Sequence, residues 1–306
     1  MKILITGGAG YIGNALISAL VQLPEIEHIT VYDNLSRNNY NFFIANSKFS
    51  GSSVSFIKGD LLDTRKLGKA IDEADIVVHL AAKVSTPFAD QNPHEFDQVN
   101  NWGTAGLTYL IEHSTVKKFI FLSSISVYGA SNEISGATTI PNPGTFYGIS
   151  KLRAEDHIQR LVGGKTEILI LRCANVYGYN PCMRFDSVIN KFLFEAHFSN
   201  RIKILGDGNQ YRTFIHIERL TNYLRNLITE NYTSGIYNLT ESIYSVNEIA
   251  AVLQQMYPDL ESVFVNQNMK MRNLKVESDV RICLPEQHPL PSLIEDLTNF
   301  KKSFSF

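Results

Sequence analysis

Six short apolar runs dominate the first half of the chain: KILIT (2–6), HITVYD (28–33), SVSFIKGD (53–60), ADIVVHLAA (74–82), KKFIFLSS (117–124) and TEILILR (166–172). Their Ile, Val, Leu and Phe stand in continuous runs, as expected for strands buried on both faces of a parallel sheet. Helix-like segments separate them at 12–23, 64–72, 93–114 and 147–161. Strand and helix in alternation, joined by right-handed crossovers, predict a doubly wound α/β domain. At 306 residues the chain can bury a core of that size.

Beyond Arg172 the rhythm changes. Residues 173–215 are rich in Asn, Tyr and Gly, with a helix-like stretch at 186–197 and a turn at GDGNQ (206–210). FIHI (214–217) reads as a strand, 218–229 as a helix and GIYNLT (235–240) as a strand. SVNEIAAVLQQM (245–256) predicts a helix capped by Ser245, with Glu248 completing a capping box. The expected division is a sheet domain over 1–174, to which 211–240 returns, and a smaller mixed lobe over 175–306.

Bulk composition excludes several functions. The net charge is -2, from 28 basic and 30 acidic residues, and gives no general attraction for nucleic acid or an anionic membrane. No apolar stretch approaches the roughly 18 residues that span a bilayer, and the residues after Lys2 are too few for a signal-peptide core. Cys173, Cys182 and Cys283 are an odd set without paired spacing, which predicts free thiols and a cytoplasmic setting. No two histidines stand at helical ligand spacing and no CxxC occurs, so no metal is expected.

TGGAGYIG follows the first strand and opens the first helix, placing Gly7, Gly10 and Gly13 at a GxxGxxG spacing. Glycine permits a tight turn and lets a helix N-terminus approach a pyrophosphate. A second strand ends at Asp33, 20 residues beyond Gly13. A carboxylate there can accept hydrogen bonds from an adenosine ribose and repel a 2′-phosphate, which favours NAD over NADP. Arg37 keeps NADP open, and Asp33 could instead serve its own turn. Asp60 closes the third strand at the same edge and could contact the adenine or cap the next helix.

Tyr147 and Lys151 lie four residues apart on a predicted helix and project from one face. A phenol near pKa 10 is a poor base at neutral pH. A nearby ammonium and a cationic nicotinamide ring would lower it. Ser124, ending a neighbouring strand, could share the proton path or hold a substrate hydroxyl. The set suits hydride transfer at a carbinol carbon. Tyr and Lys at this spacing are also common on solvated helix faces.

TGGAGYIG, DNLSR (33–37), GD (59–60), HLAA (79–82), the N-x-x-G-T of Asn100 to Thr104, SSISVYG (123–129), YGISK (147–151) and LRCANVYG (171–178) occur in one order. Their order and spacing over residues 1–240 resemble the extended short-chain dehydrogenase/reductase family, and most closely its nucleotide-sugar epimerase/dehydratase branch. The resemblance implies a Rossmann-type sheet with a substrate lobe. It implies NAD contacts at Gly7, Gly10, Tyr11, Ile12, Gly13, Asp33, Asn34, Asp60, Leu61, Leu80, Ala81, Ala82 and Asn100, together with Tyr147 and Lys151. It makes Ser124, Tyr147 and Lys151 the catalytic triad.

By the same resemblance Asn175 contacts the substrate diphosphate, and Arg212, in GDGNQYRTFIH (206–216), grips it. A guanidinium suits that task through its forked donors. The resemblance also matches Arg272 to a second diphosphate arginine, although the family's Arg-Pro-Gly is replaced here by MRNLKVESD (271–279). Lys83, Val84, Ser85, Ser126 and the neighbourhood of Ser278 are expected near the sugar. His79 and His216 read as structural residues at strand ends. A homodimer through helices matching 93–113 and 147–161 is implied.

The residues after Ser124 discriminate among activities. The family's 4,6-dehydratases carry Asp-Glu there, and its glucuronate decarboxylases a glutamate; this chain has Ile125 and Ser126. The expected activity is therefore epimerisation of a UDP- or dTDP-sugar at C4 through a transient 4-keto sugar. A 4-keto-sugar reductase using NAD(P)H is the alternative. A catalytically silent NAD(P)-sensing or RNA-binding relative is a third reading, which the intact triad and the absence of a basic patch disfavour.

Overall fold

The computed structural model describes residues 1–44, 53–84, 92–266, 268, 271–282 and 290–305. Ser85 and Cys283 lie outside the described residues.

Seven parallel strands form the central sheet: β1 (Lys2–Thr6), β2 (His28–Asp33), β3 (Val54–Lys58), β4 (Ile76–His79), β5 (Lys118–Ser124), β6 (Glu167–Cys173) and β10 (Gly235–Leu239). Their order is β3-β2-β1-β4-β5-β6-β10. The chain reverses direction across the sheet between β1 and β4. In such sheets ligands bind outside the carboxyl ends of the strands at that point.

Side chains alternate between two buried layers. Ile3, Ile5, Ile76, Val78, Ile120 and Leu122 face α1 (Tyr11–Leu20) and α8 (Ile217–Thr229), which pack on each other. Leu4, Val77, Phe119 and Phe121 face α3 (Thr64–Asp72), α5 (Gly103–Glu112) and α6 (Phe146–Gln159). Burial on both sides explains the unbroken apolar runs, and each such side chain contributes about 1.5–3 kcal/mol.

The remaining strands are small. β7 (Asn175–Tyr177), β9 (Tyr211–His216) and β11 (Ser242–Ser245) form a three-stranded sheet in the order β11-β9-β7. β8 (Arg201–Leu205) pairs in parallel with β12 (Glu261–Val265). With α7 (Val188–Ser199), α9 (Val246–Met256) and α10 (Leu293–Lys301) they bury a third core around Ile189, Leu193, Phe214 and Leu297. The return to the central sheet is narrower than the expected 211–240 span. Helix α8 and β10 rejoin it, whereas β9 pairs with β7 and β11.

The expected single helix over 93–114 is compound. α4 (Pro93–Phe96) passes into a π-helical turn, Asp97–Trp102, and then into α5. A short helix, α2 (Asn41–Ile44), follows the β2 loop. No helix among the described residues is long and apolar enough to cross a membrane.

Candidate active site

Strand β1 ends at the reversal point, and the glycine turn begins there. Gly7 takes φ +72°, and a Cβ on it would lie 2.5 Å from the Ala81 backbone nitrogen. The turn therefore presses against the Leu80–Ala82 backbone, where only glycine fits. A Cβ on Gly13 would stand 2.5 Å from Gly8 Cα, so α1 seats tightly on the strand. Gly10 caps α1 without a side-chain bond, which leaves the first helical N–H groups facing the cavity. That cradle fits a pyrophosphate.

The ribose end is prepared as well. Asp33 Oδ2 accepts from Ala9 N at 3.1 Å and Oδ1 from Leu35 N at 2.8 Å. Each carboxylate oxygen has a further lone pair for a ligand hydroxyl. Burial raises the Asp33 pKa above the usual carboxylate value, against those two backbone bonds. Asn34 donates to Asp60 Oδ2 at 2.9 Å, which ties the β2 and β3 loops together. Tyr11, Ile12, Asp60 and Leu61 also line the cavity, which measures about 1390 Å³.

Asn100 does not join them. It is buried to 1% exposure and does not line the cavity. Its amide accepts from Lys83 N at 2.7 Å and donates to Lys83 O at 2.9 Å and Ser150 Oγ at 3.0 Å. It pins the chain that leaves β4. The wide π turn lets adjacent Asn100 and Asn101 both turn inward, and Asn101 Oδ1 bonds the His157 ring at 2.9 Å.

Helix α6 carries the Tyr and Lys. Thr145 caps it by accepting from Gly148 N at 3.1 Å. A Cβ on Gly148 would lie 2.6 Å from Ser126 O, so the helix start rests on the turn after Ser124. Lys151 Nζ donates to Leu122 O at 2.7 Å and sits 4.3 Å from the centre of the Phe121 ring. Burial pulls the Lys151 pKa down to about 7, and the Glu155 charge holds it from falling further.

Tyr147 departs from expectation. Burial raises its pKa above the free value, and this outweighs a hydrogen bond with Ser124 and the charge of Arg184. The phenol is protonated at neutral pH. Ser124 Oγ also donates to Ser126 Oγ at 3.1 Å. His79 is structural, held between Thr6 at 2.6 Å and Thr104 at 2.9 Å, and burial drives its pKa down to about 3.

One buried group beside this set was not anticipated. Glu155, one helical turn beyond Lys151, is fully buried. It accepts from Arg172 Nη2 at 2.7 Å and from Ser123 Oγ at 2.5 Å. It therefore ties α6 to β5 and β6 directly under Ser124. Its i,i+4 spacing from Lys151 was the available sequence signal.

The other end of the cavity lies in the lobe. Arg212 is half-buried, lines the cavity and has no carboxylate partner among the described residues. Burial lowers its pKa from the usual arginine value. It donates to Tyr211 O at 2.8 Å and to Arg272 O. Asn175 lines the same wall and donates to Thr213 O at 3.0 Å. Lys83 lines the cavity with its ammonium paired to Glu95 at 2.5 Å.

Arg272 is placed differently from expectation. It does not line the cavity, and its Nη1 would lie 3.0 Å from a Cβ on Gly144. The carbonyl of Arg272 thus supports Arg212, while its own guanidinium packs outside. Arg184, which sequence reasoning overlooked, lines the cavity and forks onto Asp186 at 2.8 Å through both Nε and Nη2. No cluster of metal-ligating side chains is present among the described residues.

Comparison with known proteins agrees with this geometry. The profile of the NAD dependent epimerase/dehydratase family matches residues 3–240. A dTDP-D-glucose 4,6-dehydratase of Mus musculus is 30% identical over 269 residues, 85% of this chain and 74% of that protein. A UDP-glucose 4-epimerase of Yersinia enterocolitica is 33% identical over 276 residues, 80% of each chain. The structure of a UDP-glucuronic acid 4-epimerase from Bacillus cereus in complex with NAD superposes with a TM-score of 0.82 at 25% identity, covering 97% of this chain and 96% of that one. With that match over residues 3–240 and relatives at 30–33% identity along most of its length, the chain belongs to the NAD dependent epimerase/dehydratase family.

Proposed function

We propose that the chain is an NAD-dependent nucleotide-sugar epimerase acting at C4 of a UDP- or dTDP-sugar. One observation carries this reading: a single cavity runs from the glycine turn, past Ser124, Tyr147 and Lys151, to the carboxylate-free Arg212. Bound NAD supplies a reversible acceptor for the C4 hydride.

The chain's own residues have three tasks. Gly7, Gly10, Gly13 and the start of α1 hold the pyrophosphate, and Asp33 takes the ribose. Tyr147 removes the proton of the sugar 4-hydroxyl and later returns it. Burial opposes its ionisation, and the Ser124 hydroxyl and the charge of Arg184 favour the phenolate. Arg212 and Asn175 hold the diphosphate, about which a 4-keto sugar can turn to present its other face.

Elimination of water would need an acid beside Ser124. Ile125 there is buried to 2% exposure and Ser126 is a neutral hydroxyl, which disfavours a dehydratase. Trp102, Tyr109 and Phe146, exposed by 62%, 60% and 44%, supply apolar surface on the helices through which a homodimer would form. The buried free thiols Cys173 and Cys182 suit a reducing cytoplasm.

The test is to incubate purified protein with UDP-, dTDP-, GDP- and CDP-sugars and follow the C4 configuration by NMR. Tyr147→Phe should retain NAD yet lose turnover by about 10²–10⁴. Near-normal turnover in that variant would remove Tyr147 from the mechanism.

A further inference from the structure

The segment from Gly178 to Asp186 leaves β7, lines the cavity from Cys182 onward and leads into α7. It belongs to the lobe, but it is tied to the sheet domain at three places. The Tyr11 hydroxyl, on the glycine turn, donates to Gly178 O at 2.5 Å. Asn41 Nδ2, on the short helix after β2, donates to Pro181 O at 2.9 Å. Arg37 Nη2 stands 3.6 Å from Asp186 Oδ2.

These ties span the end of the cavity where Asp33 sits. Leu35, Ser36 and Arg37 line the cavity, as do Cys182, Met183 and Arg184, and Cys182 lies within reach of the Asp33 charge. Within the segment, Asn180 accepts from Cys182 N at 2.8 Å, and Asn190 on α7 accepts from Gly178 N at 3.0 Å. The segment is therefore stiff in itself and fastened at its start, middle and end.

We infer that Gly178–Asp186 is a strap closing over the adenosine half of NAD, so that the cofactor stays bound from one turnover to the next. The inference rests on the assignment of NAD to this cavity. It also bears on the class of reaction. An epimerase regenerates its cofactor within each turnover and gains from retaining it, whereas a reductase must release it every cycle. A strap fastened at three places suits the first.

Asn41 separates fastening from contact, because it does not line the cavity. Protein loaded with NADH is mixed with a large excess of NAD, and the decay of bound-NADH fluorescence gives the release rate. Asn41→Ala should accelerate release about two- to tenfold, the factor for one lost hydrogen bond. Arg37→Ala, Asp186→Ala and the double variant form a cycle in which the double variant should release no faster than the faster single one.

Wild-type release in Asn41→Ala, with multiplicative effects in the Arg37/Asp186 cycle, would overturn the strap while leaving the cofactor site standing. Failure of the wild-type protein to bind NADH at all would overturn both, and is separately visible in the loading step.

Discussion

Replacing Glu155 by Gln tests whether the buried pair beneath the site sets its chemistry as well as its stability. The Arg172 side chain is 6% exposed, and Glu155 is its carboxylate partner, at 2.7 Å. Neutralising Glu155 leaves a guanidinium in the core without its counter-charge, a change that costs about 3–5 kcal/mol. That is a large share of the roughly 5–15 kcal/mol that holds a typical domain folded. Urea unfolding should therefore show a much lower midpoint. The double variant Glu155→Leu with Arg172→Met should recover most of the loss, since an apolar pair of similar volume is nearly neutral.

The two variants should nevertheless share a second effect. Burial pulls the Lys151 pKa to about 7, and the charge of Glu155 is what supports it there. Without that charge the ammonium gives up its proton at lower pH. The alkaline limb of kcat/KM should shift to lower pH in both variants, although only one is unstable. An unfolding free energy within about 1 kcal/mol of wild type for Glu155→Gln, together with an unmoved alkaline limb, would refute the argument.

Two further outcomes follow from the geometry. Arg212→Met should raise KM for the nucleotide sugar and Kd for the free nucleoside diphosphate alike, by roughly 10- to 100-fold; unchanged diphosphate affinity by calorimetry would exclude Arg212 from that role. Asn14, fully buried in α1, has no partner for its amide oxygen or nitrogen among the described residues. Asn14→Ala should raise the unfolding free energy by about 1 kcal/mol, and a comparable loss in chemical denaturation would show that the amide is satisfied.

Much of the sheet was legible because its strands are buried twice over. A run such as KFIFLSS needs no partner to be recognised, and its limits were read almost to the residue. The lobe was harder to read. β7, β8 and β12 are short and have polar or exposed positions, and their pairing depends on distant segments. Helix α10 was overlooked although Ser292 and Glu295 form a capping box ahead of its apolar face.

At the site, spacing along one turn or helix was readable, as for Gly7 to Gly13 and Tyr147 to Lys151. Contacts made by tertiary packing were not. Nothing local says that Asn100 would be consumed by the Lys83 backbone, or that Arg272 would offer its carbonyl and not its guanidinium. The raised Tyr147 pKa belongs with these, because desolvation is decided by what the fold packs around a residue.

The place of β10 has a consequence for biosynthesis. It pairs with β6, yet it follows β7, α7, β8, β9 and α8 in the chain. As the protein leaves the ribosome, β6 must wait with one row of backbone groups unpaired until the small lobe's first strands and α8 have been made. An apolar edge strand left open is a template for pairing with other chains. Slow translation between Cys173 and Gly235, or truncation before Gly235, should therefore yield aggregated rather than merely inactive protein.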